Sequence, residues 1–219
     1  MKAIGIFGGT FDPVHNGHLQ MALEAKDALG LAEVRLVPCH RPPHRDEPML
    51  TAPQRLSLLS LAVKALDAQG EAGLVVDKRE LLRPTTSYTI DTLLSCRQEF
   101  GDAVSLALML GADAFAQLDT WRHWQQLRKL AHIVVMARPD SGLPDNTILN
   151  EWMANADTLD IVTQQASGGF ILLQQSLLAI SATQIRQQLI ENKTVCELPP
   201  VVADYIQQQG LYKKQDLKS

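Results

Sequence analysis

Short, almost continuously apolar runs alternate with segments of helical periodicity along this chain, and this alternation limits the folds that it can adopt. The apolar runs occupy residues 3–7, 34–38, 74–76, 104–110, 132–137 and 170–174. Between them, leucines and alanines recur at helical spacing over 18–30, 52–70 and 89–101. Strands without polar alternation are covered on both faces, so the pattern predicts an α/β fold built on a parallel sheet.

The chain is less regular after the fifth apolar run. Residues 139–169 open with turn-forming residues, and a helix is predicted within them over 148–159. A loop from residue 180 runs into a further predicted helix, and a last helix is predicted over 199–212. The length of 219 residues, without a clear interdomain linker, allows one large domain or a domain with a small appendage.

Composition argues against several classes of protein. Of the 219 residues, 46% are apolar, which is enough for a substantial core. The three cysteines are widely spaced and form no CxxC pair, which indicates a reducing compartment. Each apolar run is too short for a membrane span or a secretory signal, and the net charge of −4 argues against a broad nucleic-acid contact. We expect a cytoplasmic protein without nucleic-acid or membrane partners, either a monomer or a small homo-oligomer.

The stretch "GGTFDPVHNGH", residues 8–18, lies between the first predicted strand and the first predicted helix. Its two leading glycines lack a Cβ atom, so a ligand can approach the main chain closely, and Thr10 adds a hydroxyl. A helix that begins near 16–18 presents free N–H groups and the positive end of its dipole to an anion. His15 and His18 flank this point. The stretch therefore predicts a phosphate site with two imidazole donors.

Other interpretations of this stretch stay open on the residues alone. Its spacing fits neither the GxGxxG dinucleotide fingerprint nor the GxxxxGK[ST] loop. The two histidines could instead bind zinc, with His40 and His44 as further ligands if their loop folds back. A purely structural turn is the third alternative.

Two motifs carry a resemblance to the nucleotidylyltransferase superfamily. "HNGH" at 15–18 resembles the HxGH element of that superfamily, and "ISATQIR" at 180–186 resembles its ISxTxxR element. The resemblance to the bacterial nicotinate-mononucleotide adenylyltransferase family is closer and covers nearly the whole chain. It rests on "RPPHR" (41–45), "SYTIDTL" (87–93), "GADAF" (111–115), "TWRHW" (120–124), "ARP" (137–139) and the terminal "QQGLY".

The resemblance implies a fold and a reaction. The implied fold is a Rossmann-like, doubly wound parallel sheet in a single domain over 1–219, with a small helical C-terminal part over roughly 180–219. The implied reaction joins ATP and nicotinate mononucleotide to give deamido-NAD and pyrophosphate. Mg²⁺ is expected to travel on the ATP phosphates, without protein ligands. The attacking phosphate has a second pKa of about 6, so the chain needs no general base or nucleophilic side chain.

The resemblance also implies residue roles at the ATP site. The catalytic residues are predicted to be His15, His18 and Arg186. The predicted ATP contacts are Gly8, Gly9, Thr10, Phe11, His18, Arg45, Gly111, Asp113, Ser181, Thr183 and Arg186. Simpler roles compete with three of these: an N-cap for Ser181, a solvated loop position for Arg45, and an N-cap of a helix from 114 for Asp113.

The predicted contacts of nicotinate mononucleotide are Thr10, Cys39, His40, His44, Tyr88, Thr89, Trp121 and Arg138. A core position is the competing role for Trp121. The chain departs from its relatives twice, at 38–40, where asparagines are common, and at Arg122, where an aromatic residue is common. Whether 39–52 is an ordered loop or a lid is open on the sequence.

Two other functions compete with this one. The HxGH and ISATQIR elements serve ATP, so they also fit an adenylyltransferase for nicotinamide mononucleotide or phosphopantetheine. "SYTIDTL" and "TWRHW" favour the nicotinate substrate, whose carboxylate is an anion that the amide lacks. A nucleotide-binding module without catalysis is the alternative from another class, and it would not need both histidines.

Overall fold

Six strands form the centre of the protein. The computed structural model describes residues 1–41, 47–137, 147–175 and 180–213. The strands are β1 (Ala3–Gly9), β2 (Glu33–Pro38), β3 (Leu74–Val76), β4 (Ser105–Gly111), β5 (His132–Ala137) and β6 (Phe170–Gln174). Every neighbouring pair is parallel, and the order across the sheet is β3-β2-β1-β4-β5-β6. This is the order of a doubly wound Rossmann-like sheet, so the predicted fold class is confirmed.

Helices connect the strands. They are α1 (Asn16–Ala28), α2 (Ala52–Ala68), α3 (Thr89–Phe100), α4 (Ala112–Phe115), α5 (Trp124–Leu130), α6 (Thr147–Ala154), α7 (Ile161–Gln164), α8 (Ala182–Ile190) and α9 (Pro200–Gln209). A short 3₁₀ helix spans Leu118–Thr120. Within the described ranges, no helix is long and apolar enough to cross a membrane.

The element bounds differ from the predicted ones in places. β1 extends two residues beyond the apolar run, so Gly8 and Gly9 end the strand instead of following it. Helix α6 ends at Ala154, short of the predicted 159, and the four-residue α7 follows as a separate element. Helices as short as α5 and α7 span at most two turns, so their apolar residues show no periodicity that the sequence could reveal.

The two faces of the sheet bury separate apolar clusters. Along β1, Ile4 and Ile6 belong to one cluster, called the Ile6 cluster below. Ala3 and Phe7 belong to the other, called the Phe7 cluster. Helices α1, α2 and α9 supply buried residues to the Phe7 cluster, and α3 and α5 supply them to the Ile6 cluster. Both faces are therefore covered, which explains why the strands lack polar alternation.

The amino edge of the sheet is fixed by Arg97 and His132. The Arg97 guanidinium donates to the main-chain carbonyls of Gly101, Val104, Leu130 and Ala166 at 2.6–3.0 Å. These carbonyls lie in the segments that lead into β4, β5 and β6. His132 is fully buried, and its two ring nitrogens bond to Gln165 O and Gly169 N, each at 2.9 Å.

The carboxyl edge is where the strand order reverses. The chain steps from β1 to β2 and β3 in one direction, and then from β4 to β5 and β6 in the other. Neighbouring β1 and β4 therefore send their following loops to opposite faces, which opens a crevice beyond their carboxyl ends. The stretch 8–18 enters this crevice from β1.

Candidate active site

A reciprocal pair of histidines caps the start of α1. His15 is the N-cap, and its Nδ1 accepts a hydrogen bond from the main-chain N–H of His18 at 3.3 Å. In return, Nδ1 of His18 accepts from the main-chain N–H of His15 at 3.4 Å. The rings stack with centroids 3.6 Å apart. This is a capping box built from imidazoles, so the spacing HxxH follows from the geometry of a helix start.

The capping box fixes the chemistry of the rings. Because each Nδ1 accepts a hydrogen bond, a neutral ring carries its proton on Nε2. Burial lowers the pKa of His15 to about 4, so its ring is neutral at neutral pH. Two positive charges in stacked rings would also repel each other. His15 therefore presents an Nε2–H donor as a neutral imidazole, while Nδ1 of His18 is held by the same capping box.

The glycines around the histidines serve different purposes. A Cβ at Gly17 would lie 3.1 Å from Nδ1 of His15, so glycine gives this ring its space. A Cβ at Gly9 would meet the Phe11 ring at 2.9 Å. A Cβ at Gly8 would meet no atom within 4 Å. Of the two glycines that end β1, only Gly8 faces open space, and Gly9 is explained by internal packing.

Asp12, in the β1–α1 loop, accepts hydrogen bonds from three distant parts of the chain. Its buried carboxylate accepts from the Tyr212 hydroxyl at 2.6 Å and from the Met49 N–H at 2.8 Å. Its main-chain carbonyl accepts from Arg186 at 2.8 Å. Phe11, just before it, has a φ of +50°, which a bulky side chain rarely adopts. Asp12 therefore joins three distant segments at the loop that carries the histidines.

Helix α8 brings the second motif to the same loop. Ser181 is its N-cap and accepts from the Gln184 N–H at 3.5 Å, so the predicted capping role is confirmed. One turn later, Arg186 donates to the Asp12 carbonyl and, at 3.0 Å, to the hydroxyl of Thr183. Residues 15–18 and 181–186 are thus held side by side, although they lie far apart in the sequence.

Arg55 lies beneath the ends of β1 and β2. It is only 1% exposed, and its guanidinium donates to the carbonyls of Thr10 at 2.7 Å, Cys39 at 2.8 Å and Leu50 at 3.3 Å. The fork of donors matches main-chain acceptors from three segments. Arg55 therefore fixes the first residue after β1 relative to the first residue after β2.

The end of β4 supplies two further predicted residues. Gly111 is the N-cap of α4, and a Cβ there would meet no atom within 4 Å. Asp113 is exposed within the first turn of α4. The predicted alternative of an N-cap at Asp113 is wrong because α4 begins at Ala112, two residues before the predicted start.

The N–H groups after β2 are engaged within the protein. The N–H of Cys39 donates to Gly9 O at 3.0 Å, and that of His40 donates to the Ser87 hydroxyl at 3.0 Å. The His40 ring bonds through Nδ1 to Arg83 O at 2.9 Å. Ligand contacts at these positions must therefore use groups other than these N–H donors. The same bonds bring residues 39–40 against residues 83–87.

Helix α3 begins without a side-chain cap, and its start lies beside two predicted ligand-binding segments, residues 39–40 and 121–122. Tyr88 is the N-cap residue, but its side chain makes no capping bond. The Arg122 guanidinium lies 4.9 Å from the centre of the Tyr88 ring, which is a cation–π contact. Trp121 is partly buried and packs against the Ile6 cluster, in line with the competing core role. Thr89 opens the helix.

Some predicted residues lie outside the described ranges. These are His44, Arg45 and Arg138. Among the residues that the structure describes, no three His, Cys, Asp or Glu side chains form a group that could hold a metal ion. The zinc alternative gains no support from His15 or His18, because each Nδ1 accepts a main-chain hydrogen bond.

Sequence reasoning missed the side chains that support the site. Arg55 had a signal, because it occupies the buried stripe of α2 together with Leu58, Leu59 and Ala62, where an arginine is unusual. Tyr212 lies in the terminal "QQGLY" segment, but no local pattern predicted its contact with the Asp12 carboxylate, because the two residues lie 200 positions apart.

Comparisons with known proteins identify the family of the chain. The profile of the cytidylyltransferase-like family matches residues 6–188. A protein of Pseudomonas fluorescens named "Probable nicotinate-nucleotide adenylyltransferase" is 46% identical over 97% of this chain and 98% of its own. A protein of the same name from Aeromonas salmonicida is 44% identical over 96% of this chain and 97% of its own.

A solved structure extends the likeness to the fold. The nicotinic acid mononucleotide adenylyltransferase of Plasmodium falciparum, complexed with NaAD, matches with a TM-score of 0.72 over 97% of this chain and 98% of that chain. At 16% identity this likeness concerns the fold alone. The family profile and the full-length relatives go further, and by them the chain belongs to the cytidylyltransferase-like family and, within it, to the nicotinate-nucleotide adenylyltransferases.

Proposed function

We propose that this protein transfers the AMP group of ATP to nicotinate mononucleotide, giving deamido-NAD and pyrophosphate. The observation that carries the proposal is the imidazole capping box of His15 and His18, which holds both rings at a helix N-terminus beside the crevice between β1 and β4. The names of the full-length relatives supply the substrate.

In this proposal the chemistry is an in-line displacement. The phosphate of the mononucleotide attacks the α-phosphorus of ATP and forms the new P–O bond. The bond from that phosphorus to the oxygen bridging to the β-phosphate breaks, and pyrophosphate leaves with the bonding electrons. The attacking phosphate is already largely dianionic at neutral pH, so no proton must be removed. The protein contributes position and charge stabilisation.

His15 and His18 stabilise the charge that develops on the α-phosphate and the bridging oxygen. Donors that are fixed before the reaction need no reorganisation, and the capping box fixes both rings against the start of α1. The main chain of Gly8, Gly9, Thr10 and Phe11 lines the same approach. A neutral His15 suits this role because it donates without bringing a charge that must be desolvated.

The β- and γ-phosphates go to the start of α8. Thr183 is exposed there, and Ser181 and Arg186 frame the helix N-terminus. Arg186 completes a fork on phosphate by giving up its bond to the Thr183 hydroxyl and keeping its bond to Asp12. ATP enters as its magnesium complex, so the metal arrives as part of the substrate. Gly111 and Asp113 receive the ribose, and Arg45 is a further cation for ATP.

Nicotinate mononucleotide occupies the side of the crevice that faces β2 and α3. The uncapped N-terminus of α3 at Tyr88 and Thr89 receives the nicotinate carboxylate, because free N–H groups and the helix dipole favour an anion. Trp121 stacks on the pyridine ring beside the Arg122–Tyr88 contact. The remaining predicted contacts are Thr10, Cys39, His40, His44 and Arg138. The amide of nicotinamide has no charge for this helix start, which gives the preference for nicotinate.

The test is pyrophosphate release from ATP and Mg²⁺, measured in parallel with nicotinate mononucleotide, nicotinamide mononucleotide and phosphopantetheine. We expect a strong preference for the nicotinate substrate. A preference for either of the other acceptors would overturn the proposed substrate while keeping the ATP site. Absence of release with all three would overturn the proposed function.

A further inference from the structure

Tyr212 meets the β1–α1 loop from the far end of the described chain. Its hydroxyl donates to Asp12 Oδ1 at 2.6 Å, and both residues are buried, with exposures of 1% and 4%. A hydrogen bond from a hydroxyl to a carboxylate is short and strong in a dry environment. Burial, followed by the Asp12 charge, raises the pKa of Tyr212, so the hydroxyl stays protonated and remains the donor.

The Asp12 carboxylate has no freedom left once this bond is made. Its second oxygen accepts from the Met49 N–H at 2.8 Å. The carboxylate is therefore held from two sides, by residue 49 and by residue 212. A buried acceptor that loses one of its donors is costly, so these two bonds define one orientation of the Asp12 side chain.

The fixed side chain in turn fixes the peptide to which Arg186 is bound. Arg186 Nη1 donates to the Asp12 carbonyl at 2.8 Å, while Nη2 reaches Thr183. Asp12 also lies three residues before His15. The bonds thus form a continuous line from Tyr212, through Asp12, to the guanidinium proposed to hold ATP phosphate.

Two residues at the Tyr212–Asp12 contact are in an unusual backbone conformation. Tyr212 has a φ of +61°, and Phe11, next to Asp12, has a φ of +50°. Large side chains rarely adopt the left-handed region, and they persist there only when surrounding contacts hold them. The hydrogen bond to Asp12 is one such contact for Tyr212.

We infer that Tyr212 is a positioning residue for ATP: its hydroxyl fixes Asp12, and Asp12 fixes Arg186 and the loop that carries the two histidines. The inference rests on the proposed function for the identity of the nucleotide. It goes beyond that function because it gives the C-terminal segment after α9 a part in assembling the ATP site.

The test compares Tyr212→Phe with Tyr205→Phe. The two changes are chemically identical, and Tyr205 lies on α9 against the Phe7 cluster, away from the proposed site. Both variants are assayed at a temperature at which thermal unfolding shows them to be folded. We expect Tyr212→Phe to lower kcat/KM for ATP by about tenfold, with the KM for nicotinate mononucleotide changed by less than about twofold. Tyr205→Phe should leave both parameters within about twofold of the wild type.

A double variant keeps the test decisive if the single change also lowers stability. If Tyr212 acts through Asp12, Asp12→Asn combined with Tyr212→Phe should be no worse for ATP than Asp12→Asn alone. Fully additive losses would overturn the inference, and so would a Tyr212→Phe protein that keeps wild-type kcat/KM for ATP.

Calorimetric titration of MgATP in the absence of an acceptor separates this inference from the proposed function. Weaker MgATP binding by Tyr212→Phe than by Tyr205→Phe supports the positioning role even if the wild type uses a different acceptor. Equal MgATP affinities for these two variants contradict it, whatever the acceptor.

Discussion

The two edges of the sheet use the same residue types to different ends. At the amino edge, Arg97 and His132 direct their polar atoms to main-chain groups of neighbouring segments. At the carboxyl edge, Arg55 does the same with the main chain, but the capping box of His15 and His18 uses only the Nδ1 atom of each ring.

The difference lies in which ring nitrogens make the main-chain bonds described above. His132 is fully buried with both nitrogens bonded to the main chain, which is a structural role. In His15 and His18, Nδ1 makes the capping bond, and Nε2, on the opposite side of each ring, takes no part in capping. A histidine is therefore interpreted as structural or chemical from its ring atoms, and burial alone does not decide, since His15 is also buried.

The largest effect should come from His18→Ala compared with His132→Asn. Loss of a fixed donor to the transition state lowers kcat by on the order of 100-fold or more. His132→Asn breaks two buried main-chain bonds, so it should lower the free energy of unfolding by about 1–3 kcal/mol, with kcat of the folded protein within about twofold of the wild type. Pyrophosphate release and chemical denaturation measure the two quantities. Near-normal turnover in His18→Ala would contradict the proposed role.

The contribution of His15 to stability should also depend on pH. The folded-state pKa of His15 is about 4, below its unfolded value of about 6.5, so the unfolded chain binds more protons between these values. The stability from neutral His15 is fully present above pH 6.5 and is lost as the pH falls towards 4, by about 3 kcal/mol at most.

The measurement is urea unfolding of the wild type and of His15→Asn between pH 7 and pH 4. Asparagine is a good N-cap and does not titrate, so the helix start is retained while the proton site is removed. Burial also lowers the pKa of His132, which adds to the acid loss in both proteins. The difference between the two curves isolates His15, and parallel curves would show that His15 makes no contribution.

The sequence predicted the strands better than the support of the site. Each strand carries its own apolar run, so the sheet could be predicted from local pattern, including β3 with three residues. The signal for the start of α1 was also local, because the spacing of His15 and His18 is that of a capping box. Short elements such as α7 were missed because four residues show no periodicity.

The rest of the site depends on contacts between distant residues. Arg55 meets Thr10 across 45 positions and Tyr212 meets Asp12 across 200, and the bonds join partners that no local pattern relates. The engaged N–H groups of Cys39 and His40 are also consequences of neighbouring strands and loops. A family resemblance can assign such residues to a site. Only the structure shows which of their donors and acceptors are already bonded within the protein.

The smallest effect on catalysis is expected from Arg55→Lys and Arg97→Lys. These two variants compare the carboxyl and amino edges of the sheet directly. A lysine keeps the charge, but its three N–H donors share one nitrogen and do not reproduce the wide planar fork with which each guanidinium joins separate carbonyls. Both variants should therefore be less stable than the wild type. At the amino edge the consequence ends there, because the carbonyls joined by Arg97 lead into strands and lie away from the crevice.

At the carboxyl edge the same change should reach the reaction. Arg55 holds the carbonyls of Thr10 and Cys39 at 2.7 and 2.8 Å, and Thr10 begins the loop that ends in the histidines. Releasing this carbonyl lets the loop shift relative to β2, so kcat/KM for ATP should fall by about tenfold in Arg55→Lys and by less than about twofold in Arg97→Lys. Steady-state kinetics on folded protein measures both. Equal losses in the two variants would mean that the arginines act only through stability, and the distinction between the edges would then rest on the histidines alone.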